Sequence, residues 1–155
     1  MANRIAWHCH GFDGFTPLGL YQVLQLRDRV FVLEQQSIYG DIDGVDTHCL
    51  HLLGRDDGGH LLAYARLIGP GVKHPDAVSI GRVVVEPRAR GQGLGKALLA
   101  QAIAQCRSHY PGKAITLSAQ CDAQALYADF DFRPVSEPYD DGGILHIDMR
   151  RDADA

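Results

Sequence analysis

The most constraining feature of this chain is the stretch from Ser79 to Ala97, with the sequence SIGRVVVEPRARGQGLGKA. Its three consecutive valines, Val83 to Val85, predict a strand that is too apolar for an exposed edge, so we place it in the centre of a sheet. A polar turn follows, and from Leu94 onward apolar residues recur at helical spacing. A strand, a glycine-rich turn and a helix together predict a binding site for an anion, because backbone N–H groups converge there at the positive end of the helix.

The glycine spacing narrows the kind of anion. A nucleotide-binding P-loop needs glycine in place of Arg90 and serine or threonine in place of Ala97, and a dinucleotide fingerprint needs glycine in place of Lys96. The segment from Arg90 to Gly95, which we call the cradle, instead fits the pattern Arg/Gln-x-x-Gly-x-Gly/Ala. This pattern resembles the pyrophosphate-binding motif of the GCN5-related N-acetyltransferases, the GNAT superfamily.

Length and composition limit the class of protein. A chain of 155 residues suits one domain, residues 1–155, with a polar tail at 151–155. A net charge of −4 argues against a nucleic-acid-binding surface, and no apolar run reaches the roughly 20 residues of a membrane span. The N-terminus lacks the apolar core of a signal peptide, and the four cysteines form no C-x-x-C pair. We therefore expect a cytoplasmic protein with free thiols.

The rest of the chain predicts alternating strands and helices. Thr16, followed by a proline, predicts the start of a helix whose apolar stripe continues to Phe31, with Arg27 and Arg29 off the stripe centre. The segment from Glu34 to Asp46 lacks periodicity and is expected to be a loop or a broken helix. Strands are predicted at Arg4–His10, Cys49–Arg55, His60–Leu67, Ala114–Ala119, around Val135 and at Gly143–Met149, and a short helix capped by Asp122 at Asp122–Phe130. This order predicts an α/β fold, with a mixed central sheet flanked by helices.

A second motif supports the same family. The segment from Gln120 to Phe132, QCDAQALYADFDF, resembles the superfamily pattern N-x-x-A-x-x-L-Y-x-x-x-G-F, with Gln120 in place of Asn and Asp131 in place of Gly. Asp131 is expected to tolerate the left-handed conformation that such a turn needs. Together with QLRDRVFVLEQ, YGDIDGVD, ARLIG and DGGILHIDM, the motifs resemble the ElaA-like branch of the superfamily over nearly the whole chain. The implied fold is a single-domain GNAT fold.

The resemblance implies acetyl-CoA as the acyl donor. It places the pantetheine arm along the central strand and the pyrophosphate on the cradle. The implied cofactor-binding residues are Val83, Val84, Val85, Arg90, Gly91, Gln92, Gly93, Leu94, Gly95, Lys96 and Gln120. Tyr127 matches the superfamily's general acid, since a phenol with a pKa near 10 stays protonated at neutral pH and can donate to a departing thiolate.

The acceptor side is less specific in sequence. The residues assigned to it are Glu34, Tyr39, Asp41, Asp43, Asp46, Arg66 and Arg82. Glu34 is the leading candidate for the general base, beside the three neighbouring aspartates, a water chain, His48, His51 and His146. Arg66 and Arg82 are expected to pair with these acids, because burying an unpaired charge is costly.

Four carboxylates in the thirteen residues from Glu34 to Asp46, without a lysine or arginine among them, predict a site that attracts cations. The expected acceptor is then a small molecule or peptide with a primary amine that arrives protonated. If the arginines neutralise the acids, the charge of the acceptor should not matter. The pairs His8/His10 and Cys49/His51 are too weak a pattern to predict a metal site.

Two alternatives remain at this stage. One is an acyltransferase similar to the acyl-homoserine-lactone synthases, which share the fold but lack an intact Arg-x-x-Gly-x-Gly cradle. The other is a non-catalytic domain that binds acyl-CoA. The quaternary structure is open, with a homodimer possible.

Overall fold

The computed structural model describes residues 4–37 and 39–154, and these form one eight-stranded sheet. The strands are β1 (Ala6–Gly11), β2 (Leu50–Arg55), β3 (Leu61–Ile68), β4 (Ala77–Val85), β5 (Ala114–Gln120), β6 (Arg133–Pro134), β7 (Tyr139–Asp141) and β8 (Ile144–Arg151). Their order is β1-β2-β3-β4-β5-β8-β6, and β7 also pairs with β8. Only β4 and β5 run parallel among the paired strands, so the sheet is mixed and β4 is central, as the sequence predicts.

Three helices flank this sheet: α1 (Pro17–Arg27), α2 (Leu94–His109) and α3 (Gln124–Ala128). The Thr16 hydroxyl accepts a hydrogen bond from the Gly19 amide at 2.9 Å, which confirms the predicted cap. After α1 the helix widens into a π-helix over Asp28–Glu34, and the Gln35 amide donates to the Val30 carbonyl five residues earlier. Such widened turns are rare and often occur at functional sites. Among the described residues, no helix combines the length and apolarity needed to span a membrane.

The core lies on both faces of the sheet. On one face, α2 contributes Leu98, Leu99 and Ala102, which pack with strand residues such as Ala65 and Ile80. On the other face, α1 and the π-helix pack against the sheet through a separate cluster. Its members are Val23, Leu26, Val30, Leu53, Tyr64 and Val84. Each strand of the centre is thus covered on both sides, which explains its nearly continuous apolar sequence.

The central strands β4 and β5 separate soon after they meet. They pair at three positions only, the last being Ser79 with Thr116. Beyond this point β4 stays paired with β3, but with a bulge, since Gly81 faces Arg66 and Val84 faces Tyr64. The bulge places Arg82 at φ +51°, a left-handed conformation that is uncommon for a side chain of this size. The facing edges of β4 and β5 therefore lie apart, with backbone groups unpaired on the inside.

Three details differ from the sequence predictions. Asp122 does not cap α3, because a short 3₁₀ turn at Cys121–Ala123 precedes that helix and Ala123 is its N-cap. Strand β7 was not predicted, since its sequence is polar and its residues are exposed. Arg151 belongs to β8 and not to the polar tail. The prediction for Asp131 is confirmed, with φ +68°.

The sequence analysis placed Arg27 off the centre of the apolar stripe. This prediction was wrong, and with larger consequences, because the side chain is fully buried. Its Nε donates to Asp41 at 2.8 Å and its Nη1 to Asp46 at 2.7 Å. Burial alone would lower the pKa of Arg27, but the hydrogen bond to Asp46 and the neighbouring charges outweigh it and raise that pKa. Arg27 thus fastens the segment from Asp41 to Asp46, which we call the acidic loop, to the end of α1.

Replacing Arg27 should therefore destabilise the fold strongly. Arg27→Met removes one charge from a buried ion-pair group and leaves two carboxylates short of a partner, a loss of about 3 kcal/mol or more in the free energy of unfolding. The matched control is Arg29→Met, because Arg29 is 46% exposed and pairs with Glu86 at 3.2 Å. That variant should lose about 1 kcal/mol or less. Denaturant unfolding of both measures the difference, and equal losses would contradict the role of Arg27.

Candidate active site

A cavity of about 750 Å³ opens between the separated strands. The cradle lines it, and the acidic loop reaches it through Asp41. The walls include the inner edges of β4 and β5, part of α3 and the hairpin of β7 and β8. Cavities of this size accommodate small-molecule ligands and cofactors.

The cradle has the backbone geometry that anion binding needs. Gly91 and Gly93 have φ of +82° and +78°, and α2 begins directly after Gly93. A Cβ atom added at Gly91, Gly93 or Gly95 would meet nothing within 4 Å, so these glycines border open space. The backbone can therefore approach an anion closely at the N-terminus of α2.

Most of the predicted cofactor residues lie on the cavity wall. They are Val83, Val84, Val85, Arg90, Gly91, Gly93, Leu94, Gly95 and Gln120. Two predicted residues lie elsewhere. Gln92 borders a smaller depression beside Glu86 and Arg88, and Lys96 is exposed on α2 outside the cavity lining. The assignment of these two residues to the cofactor therefore stays a prediction.

Tyr127 lies in the wall opposite β4. Its side chain belongs to the core that it forms with Phe132, at a ring distance of 6.1 Å, yet it also lines the cavity. Its hydroxyl has no hydrogen-bond partner among the described residues. Burial raises the pKa of Tyr127 above 10, so the phenol is protonated at neutral pH and its O–H is available to a ligand.

Glu34 is not where the sequence interpretation placed it. It does not line the cavity, and its two carboxylate oxygens accept from Arg90 Nη1 at 2.7 Å and Nη2 at 3.1 Å. The hydrogen bonds from Arg90 lower the pKa of Glu34, which makes it a weaker base. Glu34 therefore ties the end of the π-helix to the cradle, and the structure argues against it as the general base.

The acidic loop is neutralised by arginines. Asp41 also accepts from Arg82 Nε at 2.8 Å, while Asp43 and Asp46 accept from Arg66 at 2.8 and 3.1 Å. With Arg27, three arginines thus balance three aspartates. The expected pairing of Arg66 and Arg82 is present, but the premise of a cation-attracting acidic site fails because these carboxylates are already paired.

Only part of the predicted acceptor set faces the cavity. Tyr39, Asp41, Arg66 and Arg82 line it, whereas Asp43 and Asp46 do not. Burial alone would raise the pKa of both groups, but the hydrogen bond from Arg27 lowers the pKa of Asp46, and the pairing with Arg66 lowers the pKa of Asp43 to about 2. Both remain ionised and act as structural partners of the arginines.

The hairpin of β7 and β8 contributes Asp141 and the candidate base His146 to the lining, and β5 contributes Ser118. The sequence analysis did not single out Ser118 or Asp141 for this site. The Nδ1 of His146 lies 2.7 Å from the Ile144 carbonyl, so in the neutral ring Nδ1 is the nitrogen that carries the proton. The ring of Tyr139 stacks on His146 at 6.3 Å. Side chains alternate between the two faces of β8, and Ile147 and Met149 are buried on one face. His146 therefore lies on the other face, which the alternating sequence indicates.

A buried cluster beneath the acidic loop brings together Asp46, Cys49 and His51. Their possible ligand atoms are already engaged. His51 Nε2 donates to the Asp46 carbonyl at 2.8 Å, its Nδ1 lies 2.6 Å from the Tyr64 hydroxyl, and the Asp46 carboxylate accepts from Arg27 and Arg66. Burial lowers the pKa of His51, which keeps the ring neutral in this network. We interpret the cluster as packing that supports the loop.

Comparison with known proteins agrees with this geometry. The family model for an acetyltransferase (GNAT) domain matches residues 24–153. Protein ElaA of Escherichia coli is 42% identical over 153 residues, covering 96% of this chain and 97% of ElaA. The crystal structure of Escherichia coli ElaA superposes with a TM-score of 0.90 at 38% identity, over 96% of this chain and all of that chain (100%).

Two further structures are informative. An acyl-CoA N-acyltransferase from Pseudomonas aeruginosa superposes with a TM-score of 0.90 at 42% identity, over 96% of this chain and 99% of that chain. The AHL synthase LasI superposes with a TM-score of 0.79 over 99% of this chain and 92% of that chain, but its identity of 13% indicates a shared fold alone. With its intact cradle, and with relatives that match it nearly end to end, the chain belongs to the ElaA-like branch of the GNAT superfamily and is an acyltransferase.

Proposed function

We propose that this protein transfers an acetyl group from acetyl-CoA directly to a primary amine. The observation that carries the proposal is the unpaired gap between β4 and β5, which joins the glycine cradle to the wall that contains Tyr127. Backbone groups inside a protein need hydrogen-bond partners. An extended pantetheine arm supplies amide groups that can pair with β4 at Val83 to Val85, while the cradle receives the pyrophosphate.

The proposed reaction is a single displacement at the thioester carbonyl. The neutral amine nitrogen attacks the carbonyl carbon, the C–S bond breaks, and the electron pair of that bond leaves on sulfur. Tyr127 donates its proton to the sulfur, giving free CoA, and the amine nitrogen loses one proton to a base. A protonated tyrosine with an uncommitted hydroxyl on the cavity wall is suited to the first proton transfer.

His146 is the candidate base that the geometry favours. It lines the same cavity as Tyr127, its Nδ1 contacts the Ile144 carbonyl, and its Nε2 has no hydrogen-bond partner among the described residues. Glu34 does not meet these conditions, because Arg90 occupies both of its oxygens. A water chain in the cavity could relay the proton from the amine to His146.

The cradle can be tested without activity. Gly95→Glu puts a carboxylate where open space borders the cradle, at a position without a positive φ, so the fold should tolerate it. We expect the dissociation constant for CoA, measured by calorimetry, to rise at least about tenfold because the carboxylate repels phosphate. Ala100→Glu is the control, since Ala100 is exposed on α2 outside the cavity lining. Equal affinities in the two variants would contradict phosphate binding at the cradle.

If Tyr127 is the general acid, removing its hydroxyl should impair turnover without impairing CoA binding. Wild-type protein should release CoA from acetyl-CoA with at least one amine in a broad panel, and Tyr127→Phe should lower kcat about 100-fold, because the ring remains and only the proton is lost. The affinity for CoA should stay the same. The control is Tyr110→Phe, which removes a hydroxyl outside the cavity lining.

Wild-type turnover in Tyr127→Phe would exclude Tyr127 as the acid. No CoA release with any amine would contradict the proposed function itself.

A further inference from the structure

Three cationic side chains that line the cavity have hydrogen-bond donors without acceptors. Arg82 donates through Nε and Nη2 to the acidic loop, but its Nη1 has no partner among the described residues. Lys73 lines the same cavity and forms no ion pair within the described parts of the chain. The side chain of Arg66 is only 5% exposed and also lines the cavity, and its Nε is the one fully buried side-chain nitrogen or oxygen in residues 4–37 and 39–154 without a partner.

The acceptor atoms of Asp41, by contrast, are already used. The two carboxylate oxygens of Asp41 each accept from an arginine, Oδ1 from Arg82 and Oδ2 from Arg27. Its carbonyl accepts from Arg82 as well. A ligand group that only donates hydrogen bonds would therefore find no free acceptor on Asp41. A group that accepts them would find the Nη1 of Arg82 and the ammonium group of Lys73 without partners among the described residues.

Arg82 is held in position to meet such a group. The bulge in β4 gives it φ +51°, and its guanidinium lies 6.0 Å from the centre of the Phe31 ring. Two contacts with Asp41 fix the plane of the guanidinium. A planar, anchored guanidinium loses little conformational entropy on binding and matches the geometry of a carboxylate.

The donors and the cradle lie at different positions along β4. A strand rises about 3.3 Å per residue, so the Cα atoms of Arg82 and Val85, the last residue of β4, are about 10 Å apart. Lys73 precedes β4, whereas the cradle follows it. The opposite wall carries Asp141 and His146, which can face an amine. The arrangement thus offers cationic donors on one wall and an acid with a base on the other.

We propose that the acceptor is an amino acid or a peptide-like amine whose own carboxylate binds to Arg82, while Lys73 adds positive charge to the same cavity. This inference rests on the proposed amine acetylation and names its substrate class. The carboxylate takes no part in the reaction and orients the amine toward the thioester. The sequence-based expectation of a cationic acceptor is replaced by that of a zwitterion.

Matched pairs of acceptors test the proposal. Each of the common amino acids is compared with its carboxamide at one pH, and we expect kcat/KM to be at least about tenfold higher for the free acid of the preferred pair. The difference in basicity works against the expected result, because the amine of the carboxamide is less basic and so more of it is in the reactive neutral form. Equal values, or a preference for the carboxamide, would overturn the proposal.

Variants of Lys73 and Arg82 test which side chains recognise the carboxylate of the acceptor. Lys73→Gln should lower the ratio of acid to carboxamide several-fold without unfolding the protein, since Lys73 is exposed and outside the arginine–aspartate network. Arg82→Gln should lower the ratio further, with thermal unfolding as the check on its fold. Lys113→Gln is the control, because Lys113 pairs with Asp76 on the surface and does not line the cavity. An unchanged ratio in both cavity variants would overturn the assignment.

A binding measurement separates this inference from the proposed function. Calorimetry of the CoA-bound protein with the N-acetyl amino acids and their carboxamides needs no turnover. Tighter binding of the carboxylates supports the inference even if no acetylation is detected. If acetylation occurs but binding does not distinguish the two series, the function stands and the inference fails.

Discussion

The separation of β4 from β5 is the constraint on which the rest of the site depends. Two parallel strands in the middle of a sheet would normally exchange hydrogen bonds along their full length. Here they pair through Ser79 and Thr116 and then diverge. The divergence creates both the cavity and the unpaired backbone edges that line it. An acyl-CoA that occupies this gap therefore completes the sheet in addition to filling a pocket.

The buried arginine–aspartate network shapes the other half of the cavity. Arg27, Arg66 and Arg82 come from α1, β3 and β4, and all three converge on the acidic loop. Networks of this kind contribute little net stability compared with apolar packing, but breaking one partner is costly. Their effect here is to hold an irregular loop, and the guanidinium of Arg82, at fixed positions on the cavity wall. The charges of the three aspartates are therefore neutralised within this network.

Local patterns predicted the parts of the structure that local physics determines. The valines of β4, the glycines of the cradle and the cap at Thr16 each reflect a backbone requirement that is visible within a few residues. The alternation of elements and the motif around Tyr127 were likewise sufficient to predict the mixed α/β fold.

The parts that were missed depend on contacts between distant residues. Arg27 lies four residues after Val23 and three before Val30, so it shares their buried face, but only the distant Asp41 and Asp46 make that burial tolerable. Glu34 faces the cradle because its partner, Arg90, lies 56 residues later. The sequence shows neither the bulge that sets the conformation of Arg82 nor that Arg82 and Lys73 line one cavity.

The most direct test of the central claim, that the gap between β4 and β5 holds the acyl donor, is a crystal structure of the protein with CoA. The account predicts the pantetheine arm between the two strands, with its amides bonded to the backbone of Val83 to Val85 and the pyrophosphate at Gly91 to Gly95. CoA bound outside the gap, or a gap closed by pairing of β4 with β5 beyond Ser79, would contradict it.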